Sequence, residues 1–403
     1  MNIKSLLLGS AAALVAVSGA RAADAVVIAE PEPVEYVRVC DVYGTGFYYI
    51  PGTETCLRVG GYVRYDIGVG ELLGRDVDRD GGSRPAFRDG DSYYKLARGA
   101  IQLDARSETE LGTLRGYIHI NADYSTGNAT QTLSLNDPDG VPGNGDEFVE
   151  NRFTEGTPSD SFGLNHAYIE LGGFRVGKTD SLFATMTGYA GSVINDGLVP
   201  FSPFGTHQIA YTYTGANGFS AAIAVEEGAG TDTLEDYIPH VVAGVAFTQG
   251  WGGVSAVVGY DSQNEEVAGK VRLDVKATET VSLFIMGGYK TDDGDREETG
   301  EGNGSDRSNY YGVWEGGDEG EVRGGDGFAV WGGGSVKLTE KATFNAQLSY
   351  DEGENFGAVA NVNYDLVPGL RITPEIAYAD NFDDNGDDDD GVLGGYLRIQ
   401  RNF

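Results

Sequence analysis

The side chains able to do work in this sequence are cations placed at every second position. In the stretch Leu57–Ile67, Arg58, Arg64 and Asp66 take even positions, while Leu57, Val59, Val63, Tyr65 and Ile67 take odd ones. The same parity sets Arg98, Arg106, Arg115, Arg175, Lys270, Arg272 and Arg398 on the polar side of their own segments. Such a row does no bond chemistry. Facing a carboxylate across a narrow, low-dielectric passage, it makes a transverse field that favours small polar solutes over apolar ones. Position along each segment narrows the mid-height set to Arg64, Arg98, Arg175 and Arg398, and Asp196 is the acid on the facing side. The plainer alternative is that each arginine pairs with a neighbouring Asp66, Asp104, Asp123 or Glu170.

Other chemistries find little support. The histidines are His119, His166, His207 and His240, and no Gly-x-Ser-x-Gly elbow accompanies them, so no catalytic system assembles. Asp76-Val77-Asp78-Arg79-Asp80-Gly81 copies the first half of a calcium loop, but its twelfth position is Phe87 where a bidentate Glu is required. The run Asp383-Asp384-Asn385-Gly386-Asp387-Asp388-Asp389-Asp390 reads as a solvated loop, with cation bridging to lipopolysaccharide as the sharper reading. No catalytic, cofactor or metal residue is assigned. Cys40 and Cys56 are the only cysteines, close together and with no histidine beside them, which points to a structural disulfide in an oxidising compartment.

The elements that position the arginines are strands. Leu114, Ile118, Ile120 and Tyr124 alternate with Arg115, Tyr117, His119, Asn121 and Asp123, and Val267–Ala277 and Ala342–Tyr350 repeat the pattern. An apolar face backed by one carrying full charges fits a strand between lipid and an aqueous lumen, and the mean hydropathy of −0.27 agrees. Counting such segments gives 16, starting near Leu57, Tyr93, Thr113, Phe162, Phe174, His207, Phe219, Pro239, Gly253, Val267, Val281, Gly327, Ala342, Asn355, Leu370 and Gly391. Connections alternate between tight turns, such as Glu110-Leu111-Gly112, and long acidic Gly-rich stretches, such as Thr291–Asp326. Sorting loops to one end suits an outer-membrane barrel and has no reason in a soluble sandwich. Tyr65, Phe174, Tyr213, Phe247 and Tyr289 sit at strand ends on the apolar face, as aromatic girdles do. The third long loop, Asp180–Thr206, is poor in acids and holds Leu182, Phe183, Met186 and Tyr189. A loop packed against the inner wall needs such residues; one left in water does not.

The ends of the chain complete the plan. Met1–Ala22 has a basic start, a short apolar stretch and the small-x-small pattern Ala20-Arg21-Ala22, and is expected to be a signal peptide cleaved on export. Its apolar part is too short to span a bilayer. Cleavage leaves 26 basic residues against 62 acidic ones, a net charge of −36, which excludes nucleic acid as a partner. The expected division is signal 1–22, an N-terminal segment 23–56 holding the cysteines, and a barrel over 57–403. The last strand ends on Phe403, like the C-terminal insertion signal that barrel-assembly machinery reads; Arg401 departs from the apolar residue usual at its position.

With these residues in hand, the chain resembles the general porins of rhizobial-type alphaproteobacteria, including the Brucella porins. The likeness is carried by Met1–Ala22, Glu35-Tyr36-Val37-Arg38-Val39-Cys40-Asp41, Tyr49–Val59, Gly61-Tyr62-Val63-Arg64-Tyr65-Asp66 and Ser107–Leu114. The resemblance implies an all-β, 16-stranded antiparallel transmembrane barrel with short periplasmic turns, long extracellular loops and loop three folded into the pore. It also implies a homotrimer in the outer membrane, among lipid and lipopolysaccharide, passing small hydrophilic solutes and ions by diffusion. A substrate-specific channel or an adhesive barrel is the alternative, and an enzyme the rival class.

Overall fold

The computed structural model describes residues 38–70, 94–126, 130–136, 148–154, 159–229, 233–234, 237–292, 309–314, 325–381 and 391–403. The stretches Met1–Ala22, Asp76–Gly81 and Asp383–Asp390 lie outside them.

Among the described residues sixteen antiparallel strands form one closed ring. They are β1 (Cys56–Gly70), β2 (Tyr94–Thr109), β3 (Gly112–Thr126), β4 (Ser159–Leu171), β5 (Phe174–Thr179), β6 (Thr206–Thr214), β7 (Phe219–Glu226) and β8 (His240–Gln249). The ring continues with β9 (Gly252–Asp261), β10 (Glu266–Lys276), β11 (Val281–Lys290), β12 (Gly327–Lys337), β13 (Ala342–Asp351), β14 (Asn355–Val367), β15 (Leu370–Asn381) and β16 (Val392–Asn402). Every start falls within three residues of its sequence expectation. Each strand pairs with its sequence neighbours, and β16 closes on β1. At that seam Gly61 and Phe403 exchange both backbone N–H···O bonds at 3.1 Å, so the last residue zips the ring shut. Closure leaves no free strand edge, which is what a lipid environment without hydrogen-bonding water demands.

The burial pattern is inverted relative to a soluble protein. Ile101, Ile169, Ile209, Ile285 and Leu348 are exposed on the outside, while Asp66, Asp104, Lys270, Lys290 and Asp351 are buried facing inward. Turns between β2 and β3, β4 and β5, or β14 and β15 take two residues; the long connections all leave the opposite end. The stretch between β3 and β4 is more structured than a plain loop, since Thr130–Asn136 pairs with Phe148–Thr154 as a separate hairpin. A disulfide joins Cys40 to Cys56, with Cα atoms 6.0 Å apart. It draws residues 40–55 back over the first residues of β1, where Phe47 lies under the guanidinium groups of Arg58 and Arg106.

Candidate functional site

The long connection from β5 to β6 turns inward and lies on the barrel wall. Its first turn is the short helix α1 (Leu182–Thr187), capped by Ser181, whose Oγ accepts from Phe183 N at 3.0 Å. Glu226, at the end of β7 and 1% exposed, accepts from Ser181 Oγ and Leu182 N, both at 2.7 Å. Apolar contact does the rest. Phe183, Ala190, Val199 and Phe201 are buried against inward Ala224, Val242, Val257 and Trp331, which accounts for the low charge of this loop. Small wall residues make the room. A Cβ at Gly244 would stand 2.5 Å from Met186 Cγ, and one at Gly357 would stand 2.8 Å from Leu198 Cβ.

The loop's far end is held by polar hooks. Glu375 on β15 accepts from Ile194 N at 2.5 Å, Asn195 N at 2.9 Å and Asn195 Nδ2 at 2.7 Å. Asn361 on β14 donates to the same carboxylate at 2.9 Å. Gln347 Nε2 donates to the Asp196 carbonyl at 2.8 Å, and Trp331 Nε1 to the Val199 carbonyl at 3.0 Å. Lys270, almost fully buried, spends its ammonium on the Phe201 carbonyl at 2.7 Å. Tyr189 donates to Asp180 at 2.7 Å. Its partial burial and that carboxylate push its hydroxyl well above the usual phenol range, with Asp196 adding to the negative field around it.

A second connection also folds inward, and sequence reasoning missed it. Tyr310, Tyr311 and Trp314, between β11 and β12, are buried against α1 and the wall. Tyr311 donates to Glu226 at 3.2 Å, and its ring lies 5.1 Å from that of Phe183. Its only sequence signal is three aromatics, diluted by the acidic, Gly-rich residues on either side.

All these anchors lie on β6–β15. The remaining arc, β16 and β1–β5, carries the four arginines expected at the constriction, whereas Arg272 on β10 donates to the Tyr189 carbonyl of the loop at 2.5 Å. Arg64 and Arg98 are cross-strand partners, and Arg398 is the partner of Asp66. Three of the four expected residues are therefore contiguous. Arg175 is not among them; it follows the Gly172–Gly173 turn and binds Glu170, which also holds Arg115. Arg98 is bidentate on Asp123 at 2.7 and 2.6 Å, and Arg398 is bidentate on Asp66 at 2.9 Å. Arg64 differs. Its Nε donates to Gln400 at 2.8 Å and its guanidinium lies 4.7 Å from the Tyr62 ring centroid, with no ion pair among the described residues. Among the described residues Arg98 and Arg398 each have a carboxylate of their own, Arg58, Arg106, Arg115 and Arg175 share Asp104 and Glu170, and Arg64 has none, so the arc keeps a net positive charge. Tyr117 and Tyr168, at 5.2 Å, support Arg115 from the same face.

Comparison with known proteins places this architecture. A sequence profile described as Porin subfamily matches residues 24–400. Porin Omp2a of Brucella melitensis biotype 1 is 46% identical over 412 aligned residues, covering 100% of each chain. Porin Omp2b of Brucella neotomae is 43% identical, again over 100% of both. Among solved structures, the outer-membrane channel DcaP of Acinetobacter baumannii superposes with TM-score 0.57 at 16% identity, over 88% of this chain and 99% of that one. The complex of Salmonella typhi OmpF with daunomycin superposes with TM-score 0.54 at 12% identity, over 87% and 98%.

Proposed function

The chain belongs to the porin subfamily, and we propose that its conducting path is the gap between loop three and the arginine arc of β16 and β1–β5. It is an integral outer-membrane β-barrel and a general porin channel. The observation that carries the reading is the one-sided docking of loop three: every anchor named above falls on β6–β15, leaving the other arc to water. Small hydrophilic solutes and ions pass there by diffusion, with Arg64, Arg98 and Arg398 on one side and Asp196 on the loop. Arg175 contributes from nearer the periplasmic turns.

The working unit is a homotrimer. Gly332 and Gly334 on the outward face of β12, paired with Ile285 and Leu283, give a smooth surface on which a second barrel can lie. Phe403 is the residue read by the assembly machinery. Unboiled protein runs on a denaturing gel as a trimer that collapses to about one-third of its apparent mass on heating, and Phe403→Ser lowers that trimer in outer membranes. Planar bilayers show stepwise ohmic conductance. A heat-insensitive monomer band together with silent bilayers overturns the reading.

A further inference from the structure

Two histidines in the pore wall are left over by this account. His119 on β3 and His166 on β4 are direct cross-strand partners, and the strand register shifts between His119 and Ile120. Both follow the inward parity of Arg115, Tyr117 and Tyr168, so both rings project into the lumen. Their centroids are 5.4 Å apart with an interplanar angle of 29°. His119 is 9% exposed and its ring is hydrogen-bonded to Asn121, two residues on along the same inward face.

His166 is set up differently. Its Nδ1 lies 2.9 Å from Thr179 Oγ1. In the tautomer that donates to Thr179, the Nε2 lone pair is free to bind, and the Thr179 hydroxyl fixes the ring. Thr179 ends β5, so the pair stands at the root of loop three. The next residue, Asp180, is within Coulombic range of both imidazoles. Arg98 near His119 is paired with Asp123, and Arg175 near His166 shares Glu170 with Arg115. Lys178 spends its ammonium on the Leu164 carbonyl and remains an opposing charge.

We propose that His119 and His166 form a two-imidazole site for a borderline transition-metal cation (Cu²⁺, Ni²⁺ or Zn²⁺) at the root of loop three. Imidazole nitrogen selects these ions over Mg²⁺ and Ca²⁺, which prefer oxygen. Metal–nitrogen bonds of about 2.0–2.1 Å bring two ligating nitrogens roughly 3–4 Å apart, within reach of facing rings that turn about χ2. Among the described residues no third His, Cys, Asp or Glu stands at ligating distance, so Asn121 Oδ1 and pore water complete the shell. Two protein nitrogens and a nearby lysine make this a micromolar rather than a structural site. A dication held there narrows the path and adds positive charge beside it.

The test uses the full chain purified in detergent, where metal binding is read separately from channel activity, so that failure of the site and failure of the porin reading are distinguishable. One equivalent of Cu²⁺ should give an electron paramagnetic resonance spectrum with hyperfine splitting from two imidazole nitrogens. The double variant His119→Gln/His166→Gln should lose it, with heat-modifiable migration on gels confirming its fold. His207→Gln, at an exposed histidine 4.0 Å from Glu227, should leave it unchanged. In bilayers, micromolar Zn²⁺ should lower conductance reversibly with EDTA, and equal Mg²⁺ should not. A one-nitrogen spectrum, or Cu²⁺ binding and Zn²⁺ block retained in the double variant, overturns the proposal. Should the double variant fail to fold, the nitrogen count in the wild type decides.

Discussion

At the scale of single residues, an arginine counts for its field only when no carboxylate cancels it. Arg98 with Asp123 and Arg398 with Asp66 are bidentate pairs, and such pairs hold side chains in place while contributing little net charge to the passage. Arg64, hydrogen-bonded to Gln400 and in no ion pair among the described residues, is the least compensated of the three on the proposed path. Sequence parity found all of these arginines but could not rank them, because pairing depends on cross-strand register that alternation alone does not fix. Arg64→Gln should therefore raise cation preference, read as a shift in reversal potential across a salt gradient. The double change Arg98→Ala/Asp123→Ala should leave that potential near the wild-type value, because it removes equal and opposite charges. If the double change moved the potential as far as Arg64→Gln does, the neutralised-pair account would be wrong.

At the scale of elements, the strands were legible and the inward loops only partly so. Alternation reports a two-sided environment wherever a strand has one, so all sixteen strands could be placed from sequence, β1 to β16, to within three residues. Loop three was legible through its lack of charge. The Tyr310–Trp314 segment was not, because its aromatics are diluted by acidic residues on either side. What no sequence pattern announces is the partner of each hook, since Glu375 and Ile194 are 181 positions apart. Removing that hook should loosen the loop's tip. Glu375→Ala leaves Ile194 N, Asn195 N and Asn195 Nδ2 without this acceptor, while Asn361 Nδ2 keeps the Ser192 carbonyl, at a cost of about 1–3 kcal/mol for each donor that pore water fails to reach. Single-channel records of the variant should show larger, noisier conductance steps, while the heat-modifiable band stays intact. Quiet steps of wild-type size would mean that apolar packing of Phe183, Val199 and Phe201 holds the loop unaided.

At the scale of the whole molecule, two fields of opposite sign compete for ions. The chain carries a formal charge of −34, much of it in acidic stretches such as Thr291–Asp326 and Phe382–Asp390, while the arginine arc is positive and local. How far each field reaches depends on salt. At 0.01 M the Debye length is about 30 Å, comparable to the thickness of the bilayer core, so the summed anionic charge acts on any ion near the mouths. Cations should then be preferred. At 1 M it falls to about 3 Å, and an ion in transit senses only the groups beside it, which on the proposed path are Arg64 on the wall and Asp196 on the loop. Those two nearly cancel, so the preference should weaken toward none. Reversal potentials measured across a fixed twofold KCl gradient, at mean concentrations from 0.01 to 1 M, read this directly. Arg64→Gln adds a diagnostic, because its effect comes from a charge at the passage itself. It should persist at high salt while the wild-type preference fades. A cation preference that is flat across the salt series would place the controlling charge at the constriction and deny the acidic loops any part in selectivity.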